Sequence, residues 1–428
     1  MQRDSSHPLH VRQQRRSGIP FRLPRRTWPF DRWMAGRLAA MFTGTPLKFA
    51  LWDGAEYGGS NEGECICVQI GDRGALYRFV SHPEVQFGDL YSAGRIEVAG
   101  DLVRAVESAY SALDQPPGRW YWLRRVVEFL RRGPSLRKSR FNIHHHYDIG
   151  NDFYRLWLDH ASLQYTCAYY PFPDLSLEDA QIAKLDHVCR KLNLHSTDTV
   201  AEAGGGWGGS AIHMAKRFGV RVDSYNISHE QVIYAREWAK REGVADRVSF
   251  IEDDYRNITG NYDVFVSIGM LEHVGLGNYR ALGEVIDRCL KPDGRGLIHS
   301  IGRDRPGKLN AWIRRRIFPG AHPPTLAEMA PIFEPCGLTV LDVENLRPHY
   351  ARTLTHWLER FEANEDKVRD MFDEFFVRAW RLYLAGSVAA FTVGQLQLYQ
   401  VLFVRSGHEP LPTTRGYMYE SAERAEVS

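Results

Sequence analysis

Between residues 196 and 302 the chain alternates in regular order between short apolar runs and stretches that carry a helical apolar stripe. Residues 198–201, 220–225, 248–251, 263–268 and 296–301 read as strands. Residues 210–218, 230–242 and 279–290 read as helices, the first with Ala211, Ile212, Ala215 and Phe218 on one face. A strand followed by a helix and then by another strand of the same sheet returns parallel, through a right-handed crossover. Repetition of that unit leaves few architectures open. The expected fold class is α/β, with a doubly wound, mostly parallel, Rossmann-like sheet. A chain of 428 residues is too long for one small core. A smaller mixed α/β domain is expected ahead of the sheet over residues 27–112, where residues 47–52 form a strand entering the Asp53-Gly54 turn.

Glu202-Ala203-Gly204-Gly205-Gly206-Trp207-Gly208-Gly209 falls where the first strand of this alternation meets its first helix. Glycines there let the backbone turn tightly and approach a ligand closely. The spacing of Gly204, Gly206 and Gly209 suits a nicotinamide dinucleotide and suits S-adenosylmethionine equally, and a purely structural turn is the plainer alternative. The downstream context separates them. Asp254-Tyr255, past the 248–251 strand, offers a carboxylate and a ring to an adenine. The strand from Asp263 runs into Gly269-Met270-Leu271-Glu272-His273, polar groups at the carboxyl end where doubly wound sheets bind ligands. Leu290-Lys291-Pro292-Asp293-Gly294 is expected to turn into the next strand. This order matches class I methyltransferases.

Charge is unevenly spread. Residues 1–28 carry a net +6 and residues 115–140 a net +7, leaving −11 on the rest of a chain whose total is +2. Residues 1–26 lack apolar periodicity and read as a basic flexible arm. Residues 113–140 read as a basic amphipathic linker, with Trp120, Leu123, Val126, Val127 and Leu130 forming a helical stripe opposite arginines. Such a helix suits an anionic membrane surface, though an interdomain helix with a solvated basic face fits equally. Nothing points to nucleic acid. The longest apolar run, residues 382–391, is about half the length of a membrane span. The expected location is cytoplasmic, peripheral to the inner face of the membrane. Cys65, Cys67, Cys167, Cys189, Cys289 and Cys336 contain no Cys-x-x-Cys pair, and no metal site is expected. His144-His145-His146 reads as an exposed turn, since consecutive histidines rarely face one ion.

Several longer motifs are more specific. His146-Tyr147-Asp148-Ile149-Gly150-Asn151-Asp152-Phe153-Tyr154, Gln164-Tyr165-Thr166-Cys167-Ala168-Tyr169-Tyr170, Ser267-Ile268-Gly269-Met270-Leu271-Glu272-His273-Val274-Gly275, His299-Ser300-Ile301-Gly302 and His349-Tyr350-Ala351-Arg352-Thr353-Leu354 occur in this order. On these motifs, over about residues 83–405, the chain resembles the cyclopropane-fatty-acyl-phospholipid synthases, relatives of the mycolic acid cyclopropane synthases. The resemblance implies a catalytic domain over residues 141–406, followed by a tail over 407–428. Residues 87–98 would end a lipid-binding domain. It implies an S-adenosylmethionine site at Tyr165, Thr166, Gly204, Gly206, Asn226, Ile227, Gln231 and Asp254, to which the strand-end position of Glu202 and the ring of Tyr255 add two more residues. It implies a catalytic site holding bicarbonate at Cys167, Glu272, His299, Ile301 and Tyr350.

Three departures stand out. The family's D-I-G-C-G-W-G-G is Glu202 to Gly209 here, so the strand-end carboxylate is one methylene longer and the cysteine is Gly205; a floppier loop is expected. The threonine of the family's T-L-S is Asn226, and a cysteine of some members aligns with Ser387. The reaction implied is methylation of an unsaturated phospholipid acyl chain at its cis double bond. A carbocation results, for which Tyr165, Tyr169, Tyr170 and Tyr350 are candidate aromatic neighbours. Loss of a proton to a base closes a cyclopropane ring. A methylene- or methyl-branched product, or an inactive lipid-binding relative, are the alternatives. Taken singly, Glu272 could cap a helix, His299 sit in a core and Cys167 be packing. No sequence feature decides between a monomer and a homodimer.

Overall fold

The computed structural model describes residues 26–59, 65–113 and 149–419. All but the last residue of the basic arm, the amphipathic helix expected in the linker and the histidine triplet lie outside the described residues.

The first sheet comprises β1 (Leu47–Leu51), β2 (Glu56–Gly58), β3 (Ile66–Ile70) and β4 (Ile96–Ala99) in the order β2-β1-β3-β4, with β1 and β3 parallel. Period-two alternation explains its one-sided core: Leu47, Phe49 and Leu51 are buried while Lys48 and Ala50 are half-buried. The helix Pro29–Ala40 is tied to the helix Arg73–Ser81, which follows β3, by a buried Asp31. Its carboxylate takes Arg73 at 2.8 Å and the Tyr77 hydroxyl at 2.9 Å.

The second sheet comprises β5 (Thr199–Ala203), β6 (Arg221–Asn226), β7 (Val248–Glu252), β8 (Tyr262–Ile268), β9 (Leu290–Gly302), β10 (Leu338–Asn345) and β11 (Gln397–Arg405). Their order is β10-β11-β9-β8-β5-β6-β7, with β9, β8, β5, β6 and β7 parallel and β11 antiparallel to both neighbours. The mostly parallel, doubly wound expectation is met. Buried on both faces, β5 and β8 feed alternate residues to two cores. Val200 and Val264 join the helices Leu177–Lys191, Gly209–Phe218 and His229–Arg241 on one side. Ala201 and Phe265 join Tyr279–Cys289 and Leu326–Phe333 on the other. The turn expected at residues 290–294 is absorbed into β9. The pairing slips between Tyr262 and Val264, so Lys291 to Asp293 bulge outward and Lys291 reaches Asp263 at 2.8 Å.

A third, aromatic core sits beyond the carboxyl ends of the strands. It is built by residues 153–180 with the helices Arg347–Ala363 and Glu374–Thr392, whose middle holds the longest apolar run. The small unit docks against the helices Ala311–Arg316 and Glu374–Thr392. Asp89 accepts Trp312 Nε1 at 3.1 Å and pairs with Arg316 at 2.7 Å, while the buried Arg378 donates to the carbonyls of Tyr91 and Ile96. At Gly88 the Trp312 indole comes so close that a Cβ would lie 2.4 Å from its Nε1. Gly88→Val is expected to lower stability by about 1–3 kcal/mol through overpacking, measured as a drop in the thermal unfolding midpoint. An unchanged midpoint would refute the close docking.

Candidate active site

The carboxyl ends of β8, β5, β6 and β7 lie side by side, and each releases a predicted site residue. β5 leaves through Gly204 (φ 88°) and Gly206 (φ 54°), left-handed conformations that strain any residue with a Cβ. The Gly204 and Gly205 amides both donate to Tyr225 O, and nothing lies within 4 Å of where a Cβ on Gly206 would stand. β6 ends at Asn226, whose amide nitrogen donates to Gly206 O at 3.0 Å and to Gln231 Oε1 at 2.9 Å. Asn226, Gly206 and Gln231 are thus one hydrogen-bonded unit. Next to them Ile227 is 73% exposed, an apolar side chain offered to solvent at a strand end. Past β7, Asp254 accepts from the backbone N–H of Arg256 and pairs with its guanidinium at 2.8 Å, and burial pushes the half-buried Tyr255 phenol up. The Asp254 carboxylate is therefore already engaged by its own turn.

Glu202 stands behind the loop instead of on it. It is 2% exposed, accepts the Ser224 hydroxyl at 2.6 Å, and is pushed up by burial against the pull of Ser224 and Ser210. A Cβ on Gly205 would fall 1.9 Å from Ser224 Oγ and 2.9 Å from Glu202 Oε2. The longer carboxylate at 202 and the glycine at 205 are therefore coupled changes. The longer carboxylate and its serine fill the space a side chain at 205 would need, and the expected slack in the loop is occupied.

The segment Tyr165-Thr166-Cys167 crosses in front of β8. Gly269 abuts Thr166 closely enough that a Cβ would sit 2.8 Å from its methyl, and Met270 packs against Gly204. Beneath it lies Lys184, fully buried and pushed down to about 8, donating to Gln164 and at 3.1 Å to Thr166 Oγ1. Trp207 of the glycine loop donates to Asn151 at 2.7 Å and packs on Tyr154 at 4.9 Å, joining the first motif to the loop.

Glu272, in the short helix Leu271–Val274, accepts the Ile301 N–H through Oε1, whereas its Oε2 is buried without a partner. Burial pushes this carboxyl up to about 7. His299, two residues before Ile301 on β9, has its ring 1% exposed, with Nδ1 3.1 Å from Gln400 Nε2 and Nε2 buried without a partner. Burial drives it well below its ordinary value. Burial pushes the Tyr350 phenol well above its ordinary value, and Tyr383, Cys167 and Glu272 lie near enough to add to that shift. The Cys167 thiol is pushed up by burial, with Sγ directed at the carbonyls of Ala168 and Leu346, so it is a neutral thiol and no nucleophile.

The four tyrosines part into two groups. Tyr165 and Tyr350 ring Trp357 at 5.4 and 5.9 Å, with Tyr383 2.8 Å from the Tyr165 hydroxyl and Phe391 4.6 Å from Tyr350. Tyr169 instead stacks on His187 and His349, and Tyr170 stacks on His349 and His356 beneath Arg352. Ser387 returns its hydroxyl to Tyr383 O within its own helix. Sequence reasoning missed Lys184, Ser224, Tyr383 and Gln400. The signal for Gln400 was a lone amide inside the apolar run of β11. Gly205→Cys is expected to cost about 1–3 kcal/mol and to weaken S-adenosylmethionine binding. Combining it with Glu202→Asp and Ser224→Ala restores most of both, read by thermal unfolding and calorimetry. No rescue in the triple variant would refute the coupling.

Residues 135–401 match the family model of mycolic acid cyclopropane synthetase. A probable fatty acid methyltransferase of Pseudomonas putida is 35% identical over 395 residues, 87% of this chain and 96% of that protein. The cyclopropane-fatty-acyl-phospholipid synthase of Escherichia coli K12 is 39% identical over 271 residues, 63% of this chain and 69% of that one. Among solved structures, a mycolic acid cyclopropane synthase complexed with S-adenosylhomocysteine and CTAB superposes with a TM-score of 0.58 at 29% identity, covering 63% of this chain and 99% of its own. The strand ends that carry the glycine turn, Glu272 and His299 all fall within the matched residues, and the chain belongs to the mycolic acid cyclopropane synthetase family as an S-adenosylmethionine-dependent, cyclopropane-synthase-like methyltransferase.

Proposed function

We propose that the chain adds a one-carbon unit to the cis double bond of an unsaturated phospholipid acyl chain, giving a cyclopropane fatty acyl chain. One observation carries this reading: a buried carboxyl and a buried imidazole at the carboxyl ends of the neighbouring strands β8 and β9, each with an atom left unbonded, beside an aromatic wall. An isolated alkene is a poor nucleophile, so the residues around it have to align it and keep water away. Trp357, Tyr165 and Tyr350 serve that role, and their ring faces stabilise positive charge on the acyl chain without capturing it covalently. Gly204, Gly206, Asn226, Ile227 and Gln231 form the cradle for the methyl donor. Asp254 and Tyr255 stand at its adenine side, and Thr166 at its mouth.

The orphaned Glu272 Oε2 and His299 Nε2 fit a small anion that carries a proton, as bicarbonate does. Bicarbonate held by Glu272, His299, Tyr350, Cys167 and the backbone of Ile301 would supply a base for the proton lost on ring closure. A carboxyl near 7 exists partly protonated at neutral pH, and it then donates to an anion instead of repelling it.

The substrate's setting belongs to the same proposal. Among the described residues no helix is long and apolar enough to cross a membrane. Trp28, Phe30 and Trp33 are exposed on and beside the helix Pro29–Ala40, next to Arg32 and Arg37. With the basic arm and linker they suit a peripheral docking to the anionic inner face of a membrane, with residues 27–112 as a lipid-binding-like unit. The similarity of most of this chain to a probable fatty acid methyltransferase of Pseudomonas putida favours a second product, a methyl-branched chain made in the same site.

Expression in a host lacking such enzymes, followed by NMR of the purified lipid, decides the product; mass alone does not, since cyclopropane and methylene products are isomers. Cyclopropane ring protons are the expected result, and branched-methyl signals would select the second product. Glu272→Gln is expected to bind S-adenosylmethionine normally while product falls roughly 100-fold; full turnover would sink the base site.

The same variant tests the electrostatics. Folding raises this carboxyl from 4.5 to about 7, so its stabilising protonation is complete below pH 4.5 and is lost as pH rises through about 7. Glu272→Gln removes a penalty on the order of 3 kcal/mol. The variant is thus expected to match wild type near pH 4.5 and to unfold at a higher temperature near pH 8. A pH-independent difference would contradict the buried carboxyl.

A further inference from the structure

The register of β10, β11 and β9 sets Glu344 opposite Gln400 and Gln400 opposite His299, a row of three polar residues across the sheet. Directly opposed residues share a face. The helix Leu177–Lys191 covers that face and brings Lys191 and, one turn earlier, His187 onto the row. The direction of each hydrogen bond then follows from chemistry. The Lys191 ammonium only donates, to Glu344 and, at 2.8 Å, to Gln400 Oε1. Its carbonyl thus held, Gln400 turns its NH2 group to His299 Nδ1 at 3.1 Å. An amide nitrogen only donates, so Nδ1 is the acceptor. Burial keeps the His299 ring neutral, and a neutral ring with a bare Nδ1 carries its proton on Nε2.

We propose that Gln400, gripped by Lys191, which Glu344 holds in turn, is a positioning residue that holds His299 in the Nε2–H tautomer, so that the ring presents a donor to an anion in the site. Without the amide, Nδ1 is free to take the proton, and the ring would aim a lone pair at a negative charge. The inference deepens the reading of Glu272 and His299 as the reaction site and rests on it.

The test is NMR of the full-length protein labelled at the histidine nitrogens, without substrate, with the His299 ring identified by its loss in His299→Gln. The expected wild-type ring is protonated at Nε2 and bare at Nδ1. Gln400→Glu, whose carboxylate accepts, is expected to move the proton to Nδ1 and to cut turnover roughly 100-fold with S-adenosylmethionine affinity unchanged by calorimetry. Lys191→Gln, which loosens the amide without adding charge at residue 400, is expected to give a mixture of tautomers and an intermediate loss. An Nδ1–H ring in wild type, or an Nε2–H ring kept by both variants, overturns the proposal whatever the protein makes. Reversal of the tautomer with full turnover overturns its catalytic part. Full turnover of His299→Gln overturns the reading of the site itself.

Discussion

The reversal of strand order between β5 and β8 is the constraint on which the rest of the structure depends. The chain leaves β5 toward β6 and β7, then returns to the other side for β8 and β9. The loops leaving β5 and β8 therefore diverge, and the crevice between them is where doubly wound sheets bind their ligands. Gly204 and Gly206 leave on one side of it, Met270 and Glu272 on the other. The residues 165–167 and the helices Arg347–Ala363 and Glu374–Thr392 roof it with aromatic rings. A small mixed unit is attached to this roof through Arg378, and to the neighbouring helix Ala311–Arg316 through Asp89, so the roof is braced from outside.

Burial sorts the polar groups of this region by whether they find partners. Charged groups out of water are tolerated when paired and hydrogen-bonded. Lys184 finds Gln164 and Thr166, Lys191 and His187 share Glu344, and Glu202 finds Ser224. Glu344, held by two donors, stays down at about 2. Several buried atoms stay unbonded, among them His187 Nδ1, Ser267 Oγ, Glu272 Oε2 and His299 Nε2. Each such atom calls for an explanation, and Glu272 Oε2 and His299 Nε2 are the two that the proposed anion would satisfy. The family to which the chain belongs acts on lipids with S-adenosylmethionine, and the unbonded pair sits where its methyl acceptor chemistry is proposed.

Much of this was legible before the fold was known, and for a definite reason. Glycines at a strand-to-helix turn, a Ser-Ile-Gly-Met-Leu-Glu-His motif and a His-Ser-Ile-Gly motif are local patterns, each contained in a few consecutive residues. What was not legible depended on contacts between elements. Tyr169 and Tyr170 share a motif with Tyr165, yet their rings turn to the histidines of other helices. Glu202 and Gly205 read as two changes in one motif with nothing to link them, and only the approach of Ser224 from β6 shows that they compensate. Gln400 carried no expectation from the sequence, and only the register of β11 put it beside His299.

The sequence by itself determined the parallel sheet, the position of its ligand turn and the residue types available for chemistry, because hydrophobic period and glycine placement act over a few neighbouring residues. Only the tertiary structure decided which of those residues share a dry space, which are already spoken for, and which nitrogen of His299 holds a proton. Those depend on strand register and on burial, and both are set by segments as far apart in the chain as Lys191 and Gln400.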